Sequence, residues 1–169
     1  MAAHSHAARI LRHLLIPAWI AERPFDQRML RNFEAAIARS EQSHDGELRL
    51  AIEGPLPFAL ILRGHSARAR AVEMFSRLRV WDTEHNSGVL IYLQMVDRRV
   101  EVIADRGIAA KVDQPRWNAI CRSMEQAFAR AQFEQGVLSA INEITTLLAA
   151  NFPAAGANPN ELPDKPVML

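Results

Sequence analysis

Trp81-Asp82-Thr83-Glu84-His85-Asn86-Ser87-Gly88 runs directly into Val89-Leu90-Ile91-Tyr92-Leu93-Gln94-Met95-Val96, and Asp97-Arg98 separates that run from Arg99-Val100-Glu101-Val102-Ile103-Ala104-Asp105-Arg106. Two β-branched-rich runs joined by two polar residues read as a hairpin. An antiparallel pair brings its outer ends together, so the polar loop 81–88 meets Asp105 and Arg106. Upstream, Glu47-Leu48-Arg49-Leu50-Ala51-Ile52-Glu53 alternates polar and apolar residues at period two and predicts another strand, ended by Gly54-Pro55-Leu56-Pro57. A helix predicted over 66–79 separates the two. A strand-helix-strand unit pairs its strands in parallel through a right-handed crossover. The expected fold is therefore α/β: a three-layer sandwich with a small mixed sheet (β-α-β crossover plus β-hairpin) and helices on both faces.

The remaining helices follow from spacing. Asp26 is a candidate N-cap for a helix carrying Leu30, Phe33 and Ile37 to about Gln42. In the helix over 66–79, Val72, Phe75 and Leu78 are the expected buried stripe, with Arg68, Arg70, Arg77 and Arg79 on other faces. Asp113 caps a helix that tolerates Pro115 in its first turn and presents Trp117, Ile120, Cys121, Met124 and Phe128 on one face. A last helix repeats Val137, Ile141, Ile144 and Leu148. Phe58–Leu62 is a short apolar run whose state is undecided.

The boundaries are an N-terminal basic and apolar segment over 1–24, a folded domain over 25–152 and a disordered tail over 153–169, rich in proline. Residues 1–8 read as loosely ordered. Arg9-Ile10-Leu11-Arg12-His13-Leu14-Leu15-Ile16 reads first as a short helix packing on the domain, and second as a segment making peripheral contact with a membrane surface.

Composition excludes several classes. With 20 basic and 19 acidic residues, the chain lacks the cationic excess of a dedicated nucleic-acid binder. A single cysteine, Cys121, excludes an internal disulfide and any paired-cysteine zinc motif. No apolar run reaches the roughly 18–20 residues that span a bilayer, and the N-terminus has no clean signal-peptide pattern, so a cytoplasmic location is the default expectation.

The topology gathers chemistry at one place. Parallel pairing puts the starts of the first two strands on the same side as the end of the third. Three loops then converge: His44-Asp45-Gly46-Glu47, Asp82 through Gly88, and Asp105-Arg106-Gly107. Asp45, Glu47, Asp82, Asn86 and Asp105 are candidate metal ligands, with Glu84, His85 and Arg106 beside them. Oxygen donors of this kind suit Ca²⁺ or Mg²⁺, while imidazoles at His44 and His85 shift the preference toward zinc, the less favoured metal. The same residues are also ordinary loop formers. Asp45 and Asn86 read equally as turn-fixing residues, and Asp105 as a surface partner for an arginine.

These motifs, in this order, resemble the TPM domain family. The resemblance covers about Ser43 to Pro153. It rests on Asp45-Gly46-Glu47-Leu48, Asn86-Ser87-Gly88-Val89-Leu90-Ile91, Ala104-Asp105-Arg106-Gly107-Ile108 and a terminal helix from Phe133 to Phe152 with Gly136 near its start. The stretch Leu78 to Asn86 is similar to a cytosolic bacterial branch. The resemblance implies a compact α/β sandwich, divalent-cation binding, weak acid-phosphatase activity in some members, and accessory roles toward membrane proteins, in bacteria often LemA-like ones. Asp45, Glu47, Asn86 and Asp105 correspond to the family's polar loop motifs. The third motif departs from the family's Gly-Tyr-Gly-Leu-Glu: Asp105 replaces the first glycine, Arg106 the tyrosine, and Ala109 the acid.

Two functions follow as expectations. The first is a non-catalytic interaction or accessory module acting with a membrane-protein partner. The alternative is a metal-assisted acid phosphatase-like hydrolase, in which Arg106 neutralises developing charge and His85 or Asp82 serves as acid or base. Against the alternative, no Asp-x-Asp loop, cysteine phosphate cradle or P-loop occurs in the chain.

Overall fold

The predicted hairpin exists and sits in a sheet of order β3-β2-β1-β4. The strands are β1 (Leu48–Glu53), β2 (Val89–Gln94), β3 (Arg99–Ala104) and β4 (Val167–Met168) in a computed structural model that describes residues 2–156 and 160–169. Pairing of β1 with β2 is parallel and of β2 with β3 antiparallel, in register from Val89↔Ala104 to Gln94↔Arg99. Strand β2 stops two residues before the expected Val96. The Gln94 carboxamide turns back and accepts the backbone N–H groups of Val96 and Asp97, which widens the turn.

Helices cover both faces, as expected for a three-layer sandwich. On one side α3 (Gln27–Ser40), α7 (Gln114–Ala129) and α8 (Phe133–Asn151) pack on Leu48, Leu50, Ile52, Val89, Ile91, Leu93, Val100 and Val102. Asp26 caps α3 by accepting the Met29 N–H, as its position predicted. The Val137–Ile141–Ile144–Leu148 stripe of α8 is fully buried. On the other side α5 (Ala67–Arg77) packs Ala71 and Met74 against Ala51, Leu90, Tyr92 and Ile103. Both central strands are thus buried on both faces.

Three expectations are corrected and one open segment is settled. The helix expected over 9–16 begins earlier, as α1 (Ala2–Leu15), so residues 2–8 are helical and not loosely ordered; Met1 lies outside the described residues. The undecided segment is helix α4 (Phe58–Leu62), on which α1 packs. The stripe of α5 is rotated: Val72 is exposed, Phe75 and Leu78 are only partly buried, and Arg70 points inward. The Pro-rich tail is not a disordered extension, because β4 pairs in parallel with β1 (Ala51↔Val167, Ile52↔Met168) and Leu162 is buried. Residues 157–159 of that tail lie outside the described residues.

Candidate functional site

The three loops do converge, and backbone hydrogen bonds lock them. The Asn86 carbonyl accepts the N–H groups of Gly107 (2.9 Å) and Ile108 (3.3 Å), and Asp105 donates its N–H to the Gly88 carbonyl. Asn86 has a φ of 52°, a left-handed conformation that asparagine tolerates better than most residues. Gly107 has no alternative: a Cβ there would stand 2.6 Å from both the Asn86 and His85 carbonyl oxygens. The first loop joins through Ser87, whose hydroxyl donates to the Asp45 carbonyl at 3.2 Å.

The side chains are spent on this assembly. Asp45 accepts the Ala155 N–H through Oδ2, and Asn86 accepts the Arg106 Nε–H at 2.9 Å. Glu47 accepts the N–H groups of Glu161 and Leu162, one on each oxygen. Asp105 precedes the short helix α6 (Arg106–Ala109) and takes the Arg106 N–H on Oδ1; its Oδ2 is buried with no hydrogen-bond partner among the described residues. The surface pairing of Asp105 with an arginine side chain, one sequence alternative, is not formed in the described structure. Trp81, Asp82, Glu84, His85 and Arg106 are exposed. His85 stacks on Phe152 at 6.5 Å, and the Glu161 carboxylate accepts the Glu84 N–H. Among the described residues no three His, Cys, Asp or Glu side chains are grouped to hold a metal ion. A cleft of about 200 Å³ beside β3, lined by Arg68, Asp113 and Trp117 among others, shares no residue with the three loops.

Sequence reasoning missed the buried polar cluster next to the rim. Glu41, Glu47 and Arg49 lie beneath the tail and interact electrostatically with Asp164, and two of the Arg49 guanidinium nitrogens have no hydrogen-bond partner among the described residues. Burial pushes the Glu41 carboxyl up to about 9, reinforced by Glu47 and Asp164. Burial likewise raises Glu47 to about 7, although the two tail N–H groups pull it down. The period-two pattern of β1 did place Glu47 and Arg49 together on one face. It gave no sign that the tail would close over that face.

This cluster sets a pH dependence. Both carboxyls keep their protons to higher pH folded than unfolded, so the folded chain binds more protons above the ordinary carboxyl value of 4.5. Stability from these groups is complete below that value and declines as pH rises, through about 7 for Glu47 and about 9 for Glu41. Thermal melts are expected to shift downward across that window. Glu41→Gln, which cannot ionise, should flatten the decline at its alkaline end.

Similarity to known proteins agrees with this architecture. The family model for the TPM domain matches residues 25–147, more than half of the chain. The chain belongs to the TPM domain family. Among solved structures, the BA42 protein from the psychrophilic bacterium Bizionia argentinensis shares 24% identity, with 86% of this chain and 95% of that chain covered and a TM-score of 0.75. That likeness shows a shared fold. No curated protein matches the sequence. The matched TPM segment spans all three rim loops, while α1 and β4 lie outside it. The tail that occupies Asp45 and Glu47 therefore comes from outside the segment that the family model covers.

Proposed function

We propose that this TPM domain is a non-catalytic accessory module that recognises a membrane-protein partner through its rim. The supporting observation is the division of labour among the rim residues. Asp45, Glu47 and Asn86 are engaged in holding loops and tail together, and this rigid frame presents Trp81, Asp82, Glu84, His85 and Arg106 to solvent. An exposed aromatic among charges of both signs on a fixed frame suits protein recognition, where aromatic and arginine anchors dominate affinity. The partner is a membrane protein of the kind that TPM domains accompany, with LemA-like proteins the first class to try.

A photocrosslinker at position 85 in the whole chain tests this in membrane extracts. A discrete membrane-protein adduct is expected for the parent chain, and its yield should fall about tenfold or more when Asp82 and Glu84 become arginine. Absence of any discrete adduct, or an adduct indifferent to charge reversal, would contradict the reading.

Divalent-cation binding is the second reading, favoured by the buried Oδ2 of Asp105, which has no hydrogen-bond partner among the described residues. The donors as arranged do not fit a resident cation, since Asp45 and Glu47 are already committed to tail N–H groups. A cation here would have to displace the tail. Calorimetric titration with Ca²⁺, Mg²⁺ and Zn²⁺ is expected to give weak binding that Asp105→Ala removes. The same variant tests the hydrolase alternative: its rate on an activated aryl phosphate should equal that of the parent chain, with or without metal.

A further inference from the structure

Helix α1 is inside out. Its polar residues Arg9 and His13, one turn apart, face the domain, where Arg9 makes a forked contact with Asp97 (2.8–3.1 Å) and His13 Nε2 lies 3.1 Å from Asp97 Oδ1. The Leu56 backbone N–H donates to His13 Nδ1, so in the neutral ring the proton sits on Nε2 and is donated to Asp97. Leu11, Leu14 and Leu15, at helical i, i+3 and i+4 spacing, face solvent at 56%, 58% and 69% exposure. A surface helix ordinarily shows the reverse polarity.

The exposed leucines have neighbours of the same kind. His13 lies beside Leu56 and His6 beside Gly64, so α1 runs antiparallel to the 56–64 segment, where Phe58 and Leu62 are exposed. The short helix α2 (Ala18–Ala21) continues the surface past Pro17 with Trp19 and Ile20 exposed, while Ala18 packs at Gly54. Seven of the eleven large exposed hydrophobics among the described residues thus lie in α1, α2 and α4.

Charge says what this face fits. Arg12, Arg23 and Arg63 are exposed around it. The first 25 residues contain one acid, Glu22. The other acids near the face are engaged, Asp97 with Arg9 and His13 and, at 4.0 Å, with the half-exposed Arg12, and Glu53 with Arg70. Apposing two copies of the face would set these arginines against their own counterparts. An apolar surface with an arginine rim and an exposed tryptophan matches the interface of an anionic bilayer, where leucines enter the acyl boundary, arginines meet headgroup phosphates and tryptophan sits between. We infer that α1, α2 and α4 together form a docking surface for an anionic lipid bilayer. No helix among the described residues is long and apolar enough to cross a membrane, and this mode of attachment needs none.

The inference goes beyond rim recognition and fails separately from it, because vesicles contain no partner protein. Flotation of the full chain with phosphatidylglycerol vesicles tests it, phosphatidylcholine vesicles serving as the neutral control. The chain should float with the anionic vesicles, release at high salt, and remain behind with the neutral ones. The double variant Leu14→Glu, Leu15→Glu changes side chains already in water. It should keep the circular dichroism spectrum of the parent chain and lose flotation about tenfold or more. Trp19→Ser should lose part of it, whereas Asp82→Arg with Glu84→Arg should leave it intact. The inference is overturned if the parent chain ignores anionic vesicles or if the leucine variant floats as well as the parent. It is also overturned if the face instead mediates self-association that Leu14→Glu, Leu15→Glu abolishes, without vesicle binding.

Discussion

Arg70→Met is expected to destabilise the protein by about 3–5 kcal/mol, the cost of stranding one partner of a buried ion pair. The Arg70 and Glu53 side chains are only 7% and 3% exposed. Arg70 donates from Nε to both Glu53 oxygens and from Nη2 to one of them, and its Nη1 reaches Glu73 at 2.9 Å. Tyr92 donates its hydroxyl to the same Glu53 carboxylate. The bonds to Glu53 raise the Arg70 pKa, so the cation is held firmly. Methionine fills much of the space but leaves a carboxylate at the end of β1 with the Tyr92 hydroxyl as its remaining side-chain partner. A fold of this size is stable by only about 5–15 kcal/mol, so the urea midpoint should fall sharply. Replacing Glu53 by leucine in the same chain should recover much of the loss, because the desolvation cost then disappears with both charges. A cost below about 1 kcal/mol for the single variant would mean that the pair is solvated and the inward rotation of α5 is wrong.

Gly88→Ala should be comparably damaging. A Cβ at Gly88 would lie 1.9 Å from the Val80 carbonyl oxygen and 3.0 Å from its carbonyl carbon. These are backbone atoms that cannot swing aside, so the main chain must move. Movement at Gly88 strains the bond that its carbonyl accepts from Asp105, and so the join between the second and third rim loops. Overpacking of a fixed neighbour costs about 1–3 kcal/mol and occasionally more, and this contact belongs at the upper end. Gly156→Ala is the control, since a Cβ there meets nothing within 4 Å. Chemical denaturation of the two variants should separate them clearly. Equal stabilities would show that the 80–88 loop relaxes freely.

The hairpin was readable because β-branched runs flank a short polar turn, and one antiparallel ladder sets where both outer ends lie. The rim followed from topology alone, which needs no side-chain contact. What stayed hidden has specific causes. Arg70 looks solvent-facing to any count of hydrophobic periodicity, since its burial is licensed by Glu53 on a strand 17 residues earlier. The tail carries prolines and only a two-residue strand, too short to show a period, yet Glu47 and β1 supply the partners that order it. The stretch 9–16 was read correctly as helical and packed. Its outward face could not be read, because the polar side turns inward through Asp97 in the β2–β3 turn and the Leu56 N–H. Cys121 behaved as its neighbours implied: it is partly buried in the α7 stripe, and burial pushes its thiol up to about 11, beyond ready reactivity.

As proposed, the rim of this domain recognises rather than reacts. Photocrosslinking from position 85 in membrane extracts probes this most directly, run side by side on the parent chain, Asp82→Arg with Glu84→Arg, and Asp105→Ala. One discrete membrane-protein adduct is expected in the parent, lost on charge reversal and retained in Asp105→Ala when that variant stays folded. A rim that captures nothing, while aryl phosphate turnover in the parent disappears with Asp105→Ala, would contradict it.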